Sequence, residues 1–460
     1  MSEGKGARGG AYSWRLRLNL SSACLCDIVM GWFETQEQSR GVKLMRRSIV
    51  LLAVAIAVPF AQGSPDIIAT WTQMGARGNL IARAIVTRSS CPNITLDEHT
   101  QQMGVRALPT PSAFPVMSCE TGIPGGTSSA SIEGQPLALP NPNPTQFVVW
   151  GDTGCRMATG NPFQACNDPH AWPVAAIAHT AAFTFPDLII HMGDFHYREI
   201  PCPPDNAGCA GSPFGFGWDV WNADFFTPAQ ALLNAAPWIF IRGNHEACDR
   251  AWDGWFRFLD PYPYQTGCQT FTNPYSVTAG GLQLIIFDSS ASNDTAAPAN
   301  LVAAYGPQFD MVRAMASPNA WLLHHHPLRG INQSNFGANV SLQVSSGTLP
   351  AGIRMVLSGH IHEFQELNFL PQSQPQLIVG NGGDTLHPVP TVPIVGFQFP
   401  ADGETVSSGR AFSRFGFTNM YLVDDGSGLA HDGVWHFVPR NVAGEIETVC
   451  TLQPGAILCE

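Results

Sequence analysis

Five short, almost unbroken apolar runs, each followed at once by metal-binding residue types, constrain this chain more than any other feature. Phe147-Val148-Val149-Trp150 leads into Gly151-Asp152, Leu188-Ile189-Ile190-His191 into Gly193-Asp194, and Trp238-Ile239-Phe240-Ile241 into Gly243-Asn244-His245-Glu246. Trp321-Leu322-Leu323 leads into His324, His325 and His326, and Met355-Val356-Leu357 into Gly359-His360-Ile361-His362. Runs of this length without polar alternation are the mark of strands buried on both faces. Between the first two, His170 to Phe185 is Ala-rich with helical spacing. That gives a β-α-β unit and predicts a layered α/β domain.

A single Asp after a strand is commonly a helix cap, and a single His is commonly a hydrogen-bonded core residue. Five such coincidences at the C-terminal ends of five strands mark the edge where open α/β sheets bind their ligands. Two cations a few ångströms apart repel, so a carboxylate must bridge them, and neutral imidazoles and an amide complete the shells without excess charge. Asp194 is the candidate bridge. Metals held this way acidify water for in-line attack on phosphorus and neutralise phosphoryl oxygens.

The start of the chain points to export. Met45-Arg46-Arg47 precedes an apolar run from Ile49 to Ala61, then Gln62-Gly63-Ser64, the three parts of a secretory signal. The run is about 13 residues long, against the roughly 20 that span a bilayer. The expected organisation is a leader over 1–63 that includes a signal peptide at 45–63, a small β-rich domain with a Pro-rich linker over 64–144, and a catalytic domain over 145–460. The protein is expected to be secreted or periplasmic, with no stable membrane span.

Charge narrows the partners. The 460 residues carry a formal net charge of −12. The leader takes 4 acidic and 8 basic residues from totals of 35 and 23, which leaves −16. Nucleic-acid binding requires a basic surface, so no nucleic-acid partner is expected, and the small phosphorylated substrate expected here follows from the metal-binding blocks. Ten of the 12 cysteines follow residue 63. An even number fits an oxidising compartment. Sequential pairing is the simplest scheme: Cys91 with Cys119, Cys155 with Cys166, Cys202 with Cys209, Cys248 with Cys268, and Cys450 with Cys459. A zinc site is the other use of cysteine, and it lacks the CxxC pair it would need.

Taken together, Asp152-Thr153-Gly154, Gly193-Asp194-Phe195-His196-Tyr197, Gly243-Asn244-His245-Glu246, His325-His326-Pro327 and Gly359-His360-Ile361-His362 resemble the five blocks of the calcineurin-like metallophosphoesterase superfamily. A Tyr three residues after the second-block Asp resembles the purple acid phosphatases, in which that phenolate binds ferric iron. The resemblance implies a double β-sandwich flanked by helices, here preceded by a small β domain. It implies two metal ions, Fe with Zn, Mn or Fe. One would be held by Asp152, Asp194, Tyr197 and His362, the other by Asp194, Asn244, His325 and His360. It also implies that His245 contacts the substrate phosphate or protonates the leaving group, with Glu246 orienting it. His325 is chosen among the three histidines because the family has its His-x-Pro there.

The expected function is hydrolysis of phosphate monoesters, as in acid phosphatases. A phosphodiesterase acting on a cyclic nucleotide or phospholipid head group would use the same residues, and a secreted binding protein with a disused site is the non-enzymatic alternative. His324 and His326 read either as groups behind the ligands or as packed side chains. Arg329 reads as a surface charge rather than a phosphate clamp, and the Pro- and Gly-rich segment from Pro201 to Gly217 as either a lid or a plain surface loop.

Overall fold

Each apolar run becomes a strand whose successive side chains enter two different cores. The computed structural model describes residues 64–160, 162–332, 339–370, 373–423 and 434–460. The expected leader, with its signal peptide at 45–63, lies outside them. Phe147 and Val149 pack into one cluster with Leu188, Ile190 and Ile239, whereas Val148 and Trp150 pack into another with Ile189 and Trp238. The period of two is present, but both faces are apolar, which is why the runs look continuous in sequence.

The parallel strands Gln146–Trp150, Leu188–His191 and Trp238–Phe240 are the centre of an eleven-stranded sheet. Gly416–Val423 flanks them on one side, antiparallel to the first. A seven-stranded sheet holds Leu282–Ile286, Ala320–Leu323, Ile353–Ser358 and Gln376–Val379, parallel and in that order. The two sheets share one core: Phe147, Val149 and Ile190 from the first sheet with Leu284, Trp321, Leu323, Met355 and Leu357 from the second. The outer face of the first is covered by helices that bring Ile177, Ala181, Trp221, Phe225 and Trp255. The outer face of the second is covered by Ala299–Met315, whose Tyr305, Phe309 and Val312 fall on one helical stripe. The protein is a mixed α/β sandwich with helices outside both sheets and a β-rich N-terminal region.

That N-terminal region is tied to the central sheet. Ile67–Met74 pairs in parallel with Trp238–Phe240 and antiparallel with Leu80–Val86, so the sheet runs on across residue 144. A four-stranded sheet of short strands is built from the segment between Asn93 and Pro136. Buried Arg83 donates to the carbonyls of Phe258 and Asp260, and Arg106 to those of Phe256 and Asp260. These carbonyls end the helix Trp252–Phe258, where the chain leaves oxygens without partners and cations are favoured. The ten cysteines join as Cys91–Cys119, Cys155–Cys166, Cys202–Cys209, Cys248–Cys268 and Cys450–Cys459. Among the described residues no helix is long and apolar enough to cross a membrane.

Candidate metal centre

The polar blocks sit where the parallel strands of both sheets end, and the loops there are wound unusually tightly. Asp152, Asp194 and His360 have φ of 58°, 57° and 69°. L-residues seldom adopt this left-handed region, and it persists only where surrounding contacts enforce it. The glycines beside them are required by close approach. A Cβ on Gly243 would lie 2.0 Å from Asp194 Oδ1, and one on Gly359 would lie 2.6 Å from Asp152 Oδ2. The approach of Gly359 to Asp152 brings the loop edges of the two sheets together.

Two donor groups result, and Asp194 belongs to both. In the first, Tyr197 Oη lies 2.8 Å from Asp194 Oδ2, 3.3 Å from Asp152 Oδ1 and 3.0 Å from His362 Nε2. In the second, His325 Nε2 lies 3.0 Å from the same Asp194 oxygen and 3.1 Å from Asn244 Oδ1. His360 stands within ligand distance of Asp194 and His325. All seven residues named as ligands from sequence come together here.

The ring tautomers suit metal binding. His325 donates Nδ1–H to the Met192 carbonyl at 2.8 Å, and His362 donates Nδ1–H to that of Thr385 at 2.9 Å. Each therefore presents its Nε2 lone pair inward. Behind His362, Arg156 pairs with buried Asp384, and the His387 ring stacks 4.2 Å away. The electrostatics also fit cations. Burial pushes the Asp152 carboxyl up to about 7. Burial, with Asp194 and Asp152 nearby, drives the Tyr197 phenol well above its ordinary range. Burial alone would lower His325, yet Asp194 beside it raises it to about 10. A carboxylate that raises a buried imidazole in this way marks a place where positive charge is favoured. Carboxylates, a phenol and imidazoles sharing a buried space are a donor set that two cations would satisfy.

Sequence reasoning assigned one role to the wrong residue. Glu246 does not orient His245: its carboxylate accepts the backbone N–H groups of Gly243, Asp194 and Phe195 at 3.1, 3.1 and 2.9 Å. It holds the two ligand loops together. His245 Nδ1 instead lies 2.9 Å from Glu199, which also meets Arg250 at 3.2 Å. The His245 ring lies against that of Tyr197, at 3.8 Å between centroids, and Nε2 is 4.0 Å from Asp194. Glu199, Asp294, Asp384 and Arg156 were all missed. Glu199 stood two residues past Tyr197 as a weak local signal, and the others had none.

The remaining side chains separate cleanly. His326 faces the centre, its ring 4.2 Å from that of His360, while His324 turns outward against Phe287. Arg329 pairs with Asp402 and Glu404, so it neither clamps phosphate nor stands as a lone surface charge. The 201–217 segment is pinned by the Cys202–Cys209 bridge, and Phe216 rests 5.4 Å from the His196 ring. A cavity of about 480 Å³ opens beside Asn244, lined by Arg250, Thr270, Ser290 and Ser292 among others.

A helix–sheet–sheet–helix sandwich with two carboxylates, a phenol, an amide and three imidazoles at its adjoining sheet edges defines a metallohydrolase-like class. Residues 146–364 match the calcineurin-like phosphoesterase family, and the chain carries a domain of that superfamily. PhoD superposes with a TM-score of 0.52 at 11% identity, over 85% of this chain and 91% of that one. A purple acid phosphatase, PPD1 from yellow lupin (Lupinus luteus) seeds, gives 0.49 at 12% identity, over 83% and 73%. At 11% identity the likeness to PhoD is one of fold. No curated protein matches the sequence.

Proposed function

We propose that the chain is an exported phosphomonoester hydrolase working at two metal ions, one of them ferric, in the manner of acid phosphatases. The observation that carries this is the single Asp194 oxygen shared between the Tyr197 and His325 donor groups, at 2.8 and 3.0 Å. A carboxylate so placed can bridge. Two cations there would supply acidified water and neutralise phosphoryl charge. The residues do the rest. Asp152, Tyr197 and His362 would hold one ion with Asp194, and Asn244, His325 and His360 would hold the other with it. His245, with Nδ1 turned to Glu199, offers Nε2 to a phosphate oxygen or to the departing alkoxide. The cavity beside Asn244 takes the alcohol part of the ester. Its hydroxyl and charged lining favours a small polar ester over a phospholipid. Export is supported by the five disulfides and the signal-like segment.

The test is spectroscopic and kinetic. The purified protein should contain two metal ions and a visible charge-transfer band that Tyr197→Phe abolishes. It should cleave p-nitrophenyl phosphate in preference to bis(p-nitrophenyl) phosphate. A colourless, metal-loaded protein whose Tyr197→Phe variant keeps its metals and rate would remove the ferric assignment, and diester preference would remove the monoesterase.

A further inference from the structure

A carboxylate outside the five blocks reaches the centre. Asp294 lies in the loop after Leu282–Ile286, and its Oδ2 is 2.9 Å from His360 Nε2. Its other oxygen accepts from Asn339 Nδ2 at 3.0 Å. Asn339 in turn caps the helix Val340–Ser346, accepting from the Leu342 N–H at 3.0 Å. The Val340 N–H donates to the Asp294 carbonyl and that of Ser341 to the Asn293 carbonyl, so the loop is seated on the start of that helix. His360 is held from its other end as well, because its backbone N–H donates to both Asp152 oxygens at 3.2 and 3.0 Å.

The chemistry of one proton follows. A carboxylate only accepts, so the hydrogen on a neutral His360 ring lies on Nε2 and the lone pair on Nδ1. This is the reverse of His325 and His362, which donate Nδ1–H to backbone carbonyls. Resting on the dinuclear reading above, we propose that Asp294 is a positioning residue: it selects the tautomer of His360, which then meets the second metal through Nδ1, in a carboxylate–histidine–metal relay. The same loop supplies Ser290, Ala291 and Ser292 to the cavity beside Asn244, so pocket wall and second metal share one support. A competing use of these residues exists. Asp294, His326 and His360 lie within ligand distance of one another and could enclose a cation of their own. His360 Nε2 cannot both donate to Asp294 and bind an ion, so the two arrangements exclude each other.

The experiment counts metal. Wild type, Asp294→Asn and Asp294→Glu are dialysed against a series of buffered free Zn²⁺ concentrations, bound Zn²⁺ is determined by elemental analysis, and folding is checked by circular dichroism. Wild type should hold two ions. Asp294→Asn should weaken one of them by about 10–100-fold, leave the other unchanged, and be partly rescued by Asp294→Glu. Unchanged affinity for both ions in Asp294→Asn would overturn the proposal. So would a third ion in wild type that the variant loses, since Asp294 would then be a ligand. If Asp294→Asn does not fold, Asp294→Glu decides alone: its displaced carboxylate should weaken one ion only, and unchanged binding would overturn the relay. Wild type that binds no metal would instead sink the dinuclear reading itself.

Discussion

Removing the Glu199 carboxylate should reveal what His245 does. Glu199 lies 2.9 Å from His245 Nδ1, with 14% of its side chain exposed, and no other carboxylate is so close to that nitrogen among the described residues. A hydrogen bond formed to that carboxylate as the ring takes up a proton would contribute about 1.5–3 kcal/mol. If the carboxylate stabilises the ring as it gives up or regains a proton, Glu199→Gln should lower kcat by about ten- to a hundred-fold, at 1.4 kcal/mol per tenfold. His245→Ala should cost about 10²–10⁴. The diagnostic is the leaving group. p-Nitrophenol departs with little need of a proton, whereas an alkyl alkoxide needs one, so both variants should lose far more on alkyl phosphates than on p-nitrophenyl phosphate. Metal content should stay at the wild-type level, because neither residue belongs to the two donor groups. Equal losses on both esters would refute protonation of the leaving group and leave His245 as a phosphate contact. No loss in Glu199→Gln would make the 2.9 Å pair idle.

Three other perturbations test the surrounding structure. Gly243→Ala would place a Cβ 2.0 Å from Asp194 Oδ1; overpacking of this kind costs about 1–3 kcal/mol, so the fold should survive while bound metal falls on elemental analysis. Burial raises the Glu366 carboxyl to about 7. Its native pKa is above the unfolded value, so this stability is present at pH 4 and is lost as pH rises toward 7, by about 3 kcal/mol at 1.36 per unit. Glu366→Gln should flatten the fall in Tm between pH 5 and 8, and an unchanged slope would contradict the assignment. Intact-mass analysis of exported protein should find a new N-terminus near Ser64, and non-reducing peptide mapping should recover the five pairs, whereas a free Cys155 or Cys248 thiol would break the scheme.

Much of the candidate site was legible because its donor residues are held by local rules. A strand, a tight turn and a ligand occupy a handful of consecutive residues, so Gly193-Asp194 and Gly359-His360 announce themselves wherever they fold. The residues that missed detection act across the chain. Asp294 meets His360 over a separation of 66 residues, and Arg156 meets Asp384 over 228. Nothing near Asp294 distinguishes it from any loop carboxylate. Glu246 was misread for a related reason: the resemblance gave it to His245, its neighbour in the chain, yet the turn Asn244–Glu246 sends the two side chains in different directions. Glu246 faces inward to three backbone N–H groups and His245 faces Tyr197.

The division is one of range. Apolar runs such as Leu188-Ile189-Ile190 determine strands and their double burial, because alternation and hydrophobic burial depend on the residue and its immediate neighbours. Donor type and spacing likewise set which residues are candidates to hold cations. Which carboxylate serves which imidazole was decided only when two sheets packed face to face through Phe147, Trp321 and Leu357 and brought their loop edges together. A hydrogen bond or a metal shell is satisfied by distance in space, and a linear sequence does not encode that distance until the core has closed.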